Sequence, residues 1–227
     1  DVARDITSPD ILKPSSKNPH EGSYITSVTW NKEVAHILAS AGNDGLIALY
    51  DIKNNKSIFS FKDNSTSVGS RQVEIAWSRH ISTQIAVTLD DEKKNELQIW
   101  DLRNQKGPIV VIDKGHAKGI NSMDWSELDH DLILTAGGIT KSYAGTTSKT
   151  NSPSAPGNTI KISKVAWSKV LPSIYSVTTA EGLSICSLDD RNIHSYIPKW
   201  LKVPISSTFN GNDNVIVYSE ERGNTMQ

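Results

Sequence analysis

The feature that most limits the fold of this chain is a unit that recurs four times along it. In each unit, a run of alternating apolar residues ends at a tryptophan, and a polar residue, a short loop and a second apolar run follow. Successive tryptophans are 47, 48 and 42 residues apart, at Trp30, Trp77, Trp125 and Trp167. A repeat of this period indicates one supersecondary unit per copy, with each unit stacked on its neighbours.

Each unit is predicted to consist of β-strands. Its runs are about four to eight residues long, are rich in Val, Ile, Leu, Thr and Trp, and end at turn residues, as strands do. In the first unit, strands are predicted at His36–Ala41 and Leu46–Ile52. Asn43-Asp44-Gly45 lies between them and tolerates the positive φ angles of a hairpin turn. No stretch holds a helical period without a breaker, so we predict an all-β chain.

Four-stranded antiparallel sheets that repeat about every 40–45 residues are the blades of a WD-repeat β-propeller. We expect about four blades within residues 24–197, after a connector at 1–23 and with an irregular Ser/Thr/Pro-rich loop at 139–159. The alternative is a β-sandwich in which the tryptophans recur by accident, but sandwich strands do not repeat as a four-part unit.

Composition argues against several functional classes. Lys plus Arg (24) nearly balance Asp plus Glu (25) and no basic stripe is present, so we expect no nucleic-acid partner. No apolar stretch reaches the roughly 20 residues of a membrane span, and the amino terminus has no signal-peptide core. Cys186 is the single cysteine, which favours a reducing compartment and a cytoplasmic location.

Catalytic motifs are missing from the sequence. It has no phosphate-binding glycine loop, no nucleophile elbow, no clustered Cys/His set and no helix-borne His-Glu pair. The six histidines are scattered, and the acidic pairs Asp90-Asp91 and Asp189-Asp190 fall in predicted turns. We therefore predict a protein that is not an enzyme and has no catalytic residue, no metal and no cofactor.

Two dipeptides, Trp100-Asp101 and Gly115-His116, are those that characterise the WD-repeat family. In that family a His, a turn Asp, a strand Ser or Thr and the Trp form a buried hydrogen-bonded chain. Such a chain is needed because a buried indole N–H and a buried imidazole must find partners.

No unit of the sequence shows all four members of that chain. The first unit offers Ser40 and Asp44, with Tyr50-Asp51 in place of Trp-Asp. The third offers His116 and Thr135 but no turn Asp. We interpret the following as structural blade residues rather than ligands or catalysts: Trp30, Trp77, Trp100, Asp101, His116, Trp125 and Trp167.

Three runs are more specific than a generic repeat, namely VTWNKEVAHILASAG, ELQIWDLRNQKGPIVV and GHAKGINSMDWSELDHDLILTAGG. Together, residues 24–138 resemble the central blades of the large subunit of the COPII outer vesicle coat. The resemblance covers about half of the chain and implies a seven-bladed wheel of which this chain holds part.

The same resemblance implies a function. The chain would be a non-catalytic scaffold subunit in ER-to-Golgi vesicle transport, cytoplasmic and peripheral on COPII vesicles and ER exit sites. Membrane contact would be indirect, through the inner coat. Other copies of the protein are expected partners at cage vertices.

The run PKWLKVPISSTF at residues 198–209 resembles the segment that follows the propeller in this family. There the segment forms an extra blade that inserts into the open propeller of the small WD-repeat subunit. Residues 198–227 are thus a candidate insertion blade, with 198–219 as the binding part. Gly211 and Asn212-Asp213 depart from the family's aromatic residue and glycine pair. The implied partner-binding residues are Pro198, Lys199, Trp200, Leu201, Pro204, Ile205, Phe209, Val215 and Val217.

The size of this segment favours insertion independently. About three short strands bury too little surface to be stable alone, and their edges would invite aggregation unless paired. Strand addition to a partner sheet would satisfy both needs. The alternative is that these strands pack on their own propeller as a further blade.

The second functional hypothesis is a WD-repeat adaptor that recognises peptides, such as a ubiquitin-ligase substrate receptor. It would present Arg103, Lys141 and Lys161 at the mouth of a closed propeller, but nothing in the sequence gathers these residues.

Overall fold

The computed structural model describes residues 18–63, 71–90, 95–104, 106–113, 116, 119–137, 142–146, 162–180, 182–188, 193–196, 204–209, 216–220 and 225–226, in part by their backbone alone. Every regular element in these ranges is a β-strand, which confirms the predicted all-β class. No helix in the described ranges is long and apolar enough to cross a membrane.

The strands form five antiparallel sheets that follow one another along the chain. The first sheet contains β1 (Ile25–Trp30), β2 (Ile37–Gly42), β3 (Ile47–Asp51) and β4 (Lys56–Phe61). The second contains β5 (Arg71–Trp77), β6 (Gln84–Asp90), β7 (Leu97–Asp101) and β8 (Val110–Ile112). The third contains β9 (Ile120–Trp125), β10 (Leu132–Gly137) and β11 (Ser142–Thr146). The fourth contains β12 (Ile162–Trp167), β13 (Ile174–Thr179), β14 (Gly182–Ser187) and β15 (Ile193–Tyr196), and the fifth contains β16 (Pro204–Phe209), β17 (Ile216–Glu220) and β18 (Thr225–Met226).

The hairpin between β2 and β3 is the one predicted from the sequence. Its strands lie within about one residue of their predicted bounds. Gly45 has a φ angle of +74°, and the Asp44 carboxylate accepts a hydrogen bond from the Leu46 N–H at 3.0 Å. Asp44 and Gly45 therefore form the turn in the way usual for these residue types, through a side-chain bond to the backbone and a positive φ angle.

The first strand of every sheet carries the same irregularity. Its pairing with the second strand shifts register near its start, at Ile25, Gln72, Ile120, Ile162 and Pro204. Such bulges bend a strand and increase its twist. In each case an aromatic residue closes the strand five positions later: Trp30, Trp77, Trp125, Trp167 and Phe209. The fifth sheet thus repeats the design of the other four.

Neighbouring sheets stack face to face. β1 contacts β5, β5 contacts β9, β9 contacts β12 and β12 contacts β16, and the second strand of each sheet packs on the first strand of the next. Buried apolar side chains fill the first three interfaces, including Leu49, Trp77 and Val87, then Ile99, Met123 and Ile133, then Leu134, Val165 and Trp167. Twisted antiparallel sheets stacked in chain order are blades of a propeller, as predicted.

One strand lies where the sequence predicts an irregular loop. β11 falls inside residues 139–159 and pairs with β10 from Leu132↔Thr146 to Ala136↔Ser142. Its sequence, SYAGT, lacks the apolar alternation of the other strands. Pairing with the buried β10 supports it instead, because strand formation depends on neighbours more than on intrinsic preference. The loop prediction is wrong for residues 142–146, and the rest of that range lies outside the described residues.

Candidate functional site: the stacking faces of the sheets

Each sheet has a near face, toward the preceding sheet, and a far face, toward the next one. On the near face of the second and fourth sheets, the closing tryptophan of the first strand reaches back to the preceding sheet. The Trp77 indole N–H donates to the Thr29 carbonyl at 3.3 Å, and the Trp167 indole N–H donates to the Asp124 carbonyl at 3.1 Å. A buried indole N–H needs an acceptor, so this bond fixes both the depth and the register of stacking.

A second contact repeats between the same pairs of sheets. The Ile75 N–H donates to the Ser27 hydroxyl at 3.4 Å, and the Val165 N–H donates to the Ser122 hydroxyl at 3.3 Å. In both cases the donor lies two residues before the closing tryptophan. The near face is therefore a surface with a repeated apolar and hydrogen-bonding pattern.

The near face of the first sheet is exposed. Trp30 is 46% exposed and Val28 is 54% exposed, whereas the equivalent Trp77 and Ile75 are 3% and 4% exposed. The Trp30 indole N–H donates to the carbonyl of Ala35, within its own sheet. Trp30 therefore differs in exposure from the other closing tryptophans, although the sequence pattern treats it as their equal.

The remaining tryptophans expected to be structural are buried. The Trp125 indole N–H donates to the His130 carbonyl at 2.8 Å. The Trp100 indole N–H donates to the Gln98 side chain at 3.0 Å, and the Gln98 amide donates to the Asp63 carboxylate at 2.7 Å. In the second sheet, a Trp–Gln–Asp chain thus replaces the Trp, Ser/Thr, His and Asp of the family pattern.

Asp101, the acidic half of the Trp-Asp dipeptide, binds a basic neighbour. The Arg103 guanidinium donates two hydrogen bonds to the Asp101 carboxylate, at 2.9 and 2.6 Å, and holds the pKa of Asp101 well below its usual range. Arg103 is therefore paired with Asp101, with 71% of its side chain exposed. Lys141 and Lys161, its companions in the adaptor hypothesis, lie outside the described residues.

The first sheet contains a complete polar chain that the sequence pattern missed. His20 Nε2 lies 2.8 Å from the Ser40 hydroxyl, which donates to the Tyr50 hydroxyl at 3.2 Å. His20 Nδ1 lies 3.0 Å from the Asp44 carboxylate. His20, which the sequence pattern missed, completes the chain of the first unit, with Tyr50 in place of the Trp as expected.

A spacing signal could have identified His20. It lies 20 residues before Ser40, and His116 lies 19 residues before Thr135, whose hydroxyl is 2.9 Å from His116 Nε2. The Gly-His dipeptide that marks His116 is absent at His20, where Pro precedes it. Burial lowers the pKa of His116 to about 4, so its ring is neutral near pH 7.

Glycines make room for both imidazoles. A methyl group on Gly42 would lie 2.5 Å from His20 Nδ1, and one on Gly137 would lie closer still to His116 Nδ1. Both glycines end the second strand of their sheet. The histidine and glycine therefore form a paired structural feature of the first and third sheets.

Removal of the Ser40 hydroxyl tests the His20 chain. Ser40→Ala should lower the free energy of unfolding by about 1–3 kcal/mol, because it leaves the imidazole of a residue that is 1% exposed without its Nε2 partner. Ser60→Ala, on the exposed edge strand of the same sheet, should change it by about 0.5 kcal/mol or less. Urea denaturation measures both. Equal losses in the two variants would contradict the role given to His20.

Charged side chains join the first strands of three sheets. The Glu74 carboxylate accepts a hydrogen bond from the backbone N–H of Met123 and pairs with the Lys164 ammonium. The Asp124 carboxylate accepts a hydrogen bond from the backbone N–H of Trp167 at 2.7 Å. Burial raises the pKa of Asp124 to about 7. Among the described residues, no three His, Cys, Asp or Glu side chains are grouped as metal ligands.

The candidate insertion blade is described in part. Phe209 is 4% exposed on β16, which contacts β12 and β13 of the same chain. Of the other residues expected to bind a partner, Pro204 and Ile205 lie in β16 and Val217 lies in β17, each described by its backbone alone. Outside the described residues lie Pro198, Lys199, Trp200, Leu201 and Val215. In the free chain β16 thus packs on the fourth sheet, as in the alternative arrangement expected from the sequence.

Comparisons with known proteins agree on one group. No protein-family model matches the chain. The chain is 37% identical over 139 residues to protein transport protein SEC31 of Dictyostelium discoideum, covering 61% of this chain and 10% of that protein. It is 29% identical over 181 residues to protein transport protein Sec31B of Mus musculus, covering 79% of this chain and 15% of that protein. The chain therefore spans a small part of the curated relatives it matches.

Two solved structures share the fold. One, described as COPII on membranes, outer coat vertex, has a TM-score of 0.64 at 22% identity and covers 89% of this chain and 57% of that chain. The other, the structure of the COPII coat assembled on membranes, has a TM-score of 0.64 at 21% identity and covers 89% of this chain and 32% of that chain. With the sequence matches, these findings lead to one conclusion: the chain is Sec31-like, and its stacked sheets build part of a β-propeller.

Proposed function

We propose that the chain is a non-catalytic scaffold element of the COPII coat in ER-to-Golgi vesicle transport. The names of its relatives, protein transport proteins, and the coat structures that share its fold support this role. The observation that carries the proposal is the architecture itself, in which the polar side chains described so far bind one another between and within sheets. Such an element supplies surfaces for other proteins rather than chemistry.

We also propose that residues 198–219 bind the small WD-repeat subunit of the outer coat. β16 supports this because it has the bulge at Pro204 and the closing aromatic Phe209 that define a first strand. In the described residues its sheet has three strands, whereas the first, second and fourth sheets have four. A propeller that lacks a blade would accept such a sheet by strand addition and face-to-face stacking.

The place of the protein in the cell follows from that role. The chain would lie in the cytoplasm, peripheral on COPII vesicles and ER exit sites, and would reach the membrane only through the inner coat. Further copies of the protein would be partners at cage vertices.

Co-purification with the small WD-repeat subunit tests the binding segment. Trp200→Ala combined with Phe209→Ala should weaken the association by about 30-fold or more, because buried aromatic anchors carry most of the affinity of an interface. Thr208→Ala is the matched control, since Thr208 neighbours Phe209 on β16 but is exposed. If the double variant co-purifies as well as the wild-type chain, the binding segment is wrongly assigned. Capture of short phosphorylated peptides instead would favour the adaptor hypothesis.

A further inference from the structure

We propose that the fifth sheet has two mutually exclusive docking sites, the far face of the fourth sheet in the free chain and the partner propeller in the coat. This inference rests on the proposed function. It follows that the small subunit must displace the fifth sheet from its own propeller before it can bind.

The docked position is that of a blade. β16 contacts β12 and β13, as each earlier first strand contacts the first two strands of the sheet before it. Phe209 occupies the closing aromatic position and is buried. Since a strand has one near face, β16 cannot stack on the fourth sheet and on a foreign sheet at the same time.

The chemistry of this interface differs from that of the other three. Ser207 lies two positions before Phe209, where the earlier sheets that are covered have Ile75, Met123 and Val165, all buried. The Ser207 hydroxyl lies 2.5 Å from the Thr178 hydroxyl and 3.3 Å from the Ser176 hydroxyl, and all three residues are buried. Hydroxyls that water can satisfy thus replace the apolar contacts found elsewhere.

The far face of the fourth sheet is also partly polar. Along β13, Tyr175 and Val177 join the core shared with the third sheet, whereas the alternate residues Ser176 and Thr178 face β16. Exposing this face would uncover these hydroxyls, which water can satisfy, together with Leu183 and Ile185, which pair with Thr178 and Ser176 and so share the face. The side chain of Phe209 has no N–H, so it cannot make the indole bond by which Trp77 and Trp167 contact the preceding sheet.

A reversible cross-link in the full chain tests the docked state. Thr178→Cys with Ser207→Cys places two thiols where the hydroxyls are 2.5 Å apart, a separation that a disulfide can bridge. Thr178→Cys with Thr208→Cys is the matched control, because Thr208 is exposed on the same strand. With oxidised glutathione, the first pair should form an intramolecular disulfide in the free chain and the control should not, as judged by mass spectrometry under non-reducing conditions. Circular dichroism checks that both variants fold.

Binding to the small WD-repeat subunit then tests exclusivity. The oxidised Thr178→Cys/Ser207→Cys chain should bind at least about tenfold more weakly than the control, and a reductant should restore its binding. If no disulfide forms in the free chain, or if the oxidised chain binds as well as the reduced one, the inference is overturned. If the disulfide forms but the reduced and wild-type chains also fail to bind, the partner itself is wrongly assigned, and the inference falls with the proposed function while the docked blade stands.

Discussion

Trp77→Ala should lower the free energy of unfolding by about 3–5 kcal/mol, whereas Trp30→Ala should cost about 1 kcal/mol. The two tryptophans close equivalent strands, but Trp77 is 3% exposed and donates its indole N–H to Thr29 across the interface. Its removal leaves a cavity between two sheets and removes this hydrogen bond. Trp30 is 46% exposed, so its removal exposes little new apolar surface.

The pair is its own control, because residue type, strand position and substitution are the same. Urea denaturation followed by far-ultraviolet circular dichroism measures both variants without relying on tryptophan fluorescence. Equal losses would mean that the near face of the first sheet is covered in solution, against the exposure seen here. A small loss of unfolding free energy in Trp77→Ala would mean that stacking between sheets contributes little to stability compared with strand pairing within each sheet.

Strand positions could be predicted from sequence because they depend on local pattern. The runs that end at Trp30, Trp77, Trp125 and Trp167 are each the first strand of a sheet. The hairpin at Asn43-Asp44-Gly45 was equally readable, since its turn uses residues chosen for their own backbone preferences. In these places local preference and tertiary structure agree.

The polar chain of the first sheet could not be read so directly. His20 meets Ser40 and Asp44 only after β1 and β2 have paired, since these residues lie 20 and 24 positions away. The family pattern has a glycine before the histidine and a tryptophan at the end of the chain, and neither is present there. Spacing relative to the strand hydroxyl is the more general signal, because geometry requires the distance while several residue types can serve as the final partner.

The position of the fifth sheet is tertiary information. A single sequence shows that β16 has a first-strand pattern, but not which face it will cover. The sequence alone does not distinguish Ser207 from an ordinary exposed strand residue. Only the folded chain places Ser176 and Thr178 opposite it. The same alternation fits a foreign sheet, which is why both arrangements were open.

Asp124 provides the strongest expected pH effect. It lies on β9, accepts the Trp167 N–H, and has its pKa raised to about 7, chiefly by burial and further by the carboxylates of Glu74 and Glu127. The backbone N–H of Trp167 and the Lys164 ammonium lower the pKa of Asp124. The folded chain therefore holds a proton on Asp124 at pH values where the unfolded chain, with a pKa of about 3.9, has lost it.

The sign follows from that difference in proton binding. The contribution of Asp124 to stability is fully present below about pH 4, declines as pH rises toward 7, and then stays constant. His116 acts oppositely, because burial lowers its pKa to about 4 and its contribution is lost as pH falls below about 6.5. The two effects overlap between about pH 4 and 6.5, so the wild-type profile alone cannot separate them.

Asp124→Asn isolates the carboxylate. The Asn carbonyl can still accept the Trp167 N–H but carries no charge to bury, so the variant should be more stable than the wild-type chain at pH 8 by at most about 2–4 kcal/mol. That advantage should shrink steadily as pH falls from 7 toward 4, while the His116 contribution remains in both proteins and cancels from the difference. Urea midpoints at pH 5, 6, 7 and 8 measure it. If the urea midpoints of the two chains change with pH in parallel, Asp124 has an ordinary pKa. The contact between the third and fourth sheets would then not raise it.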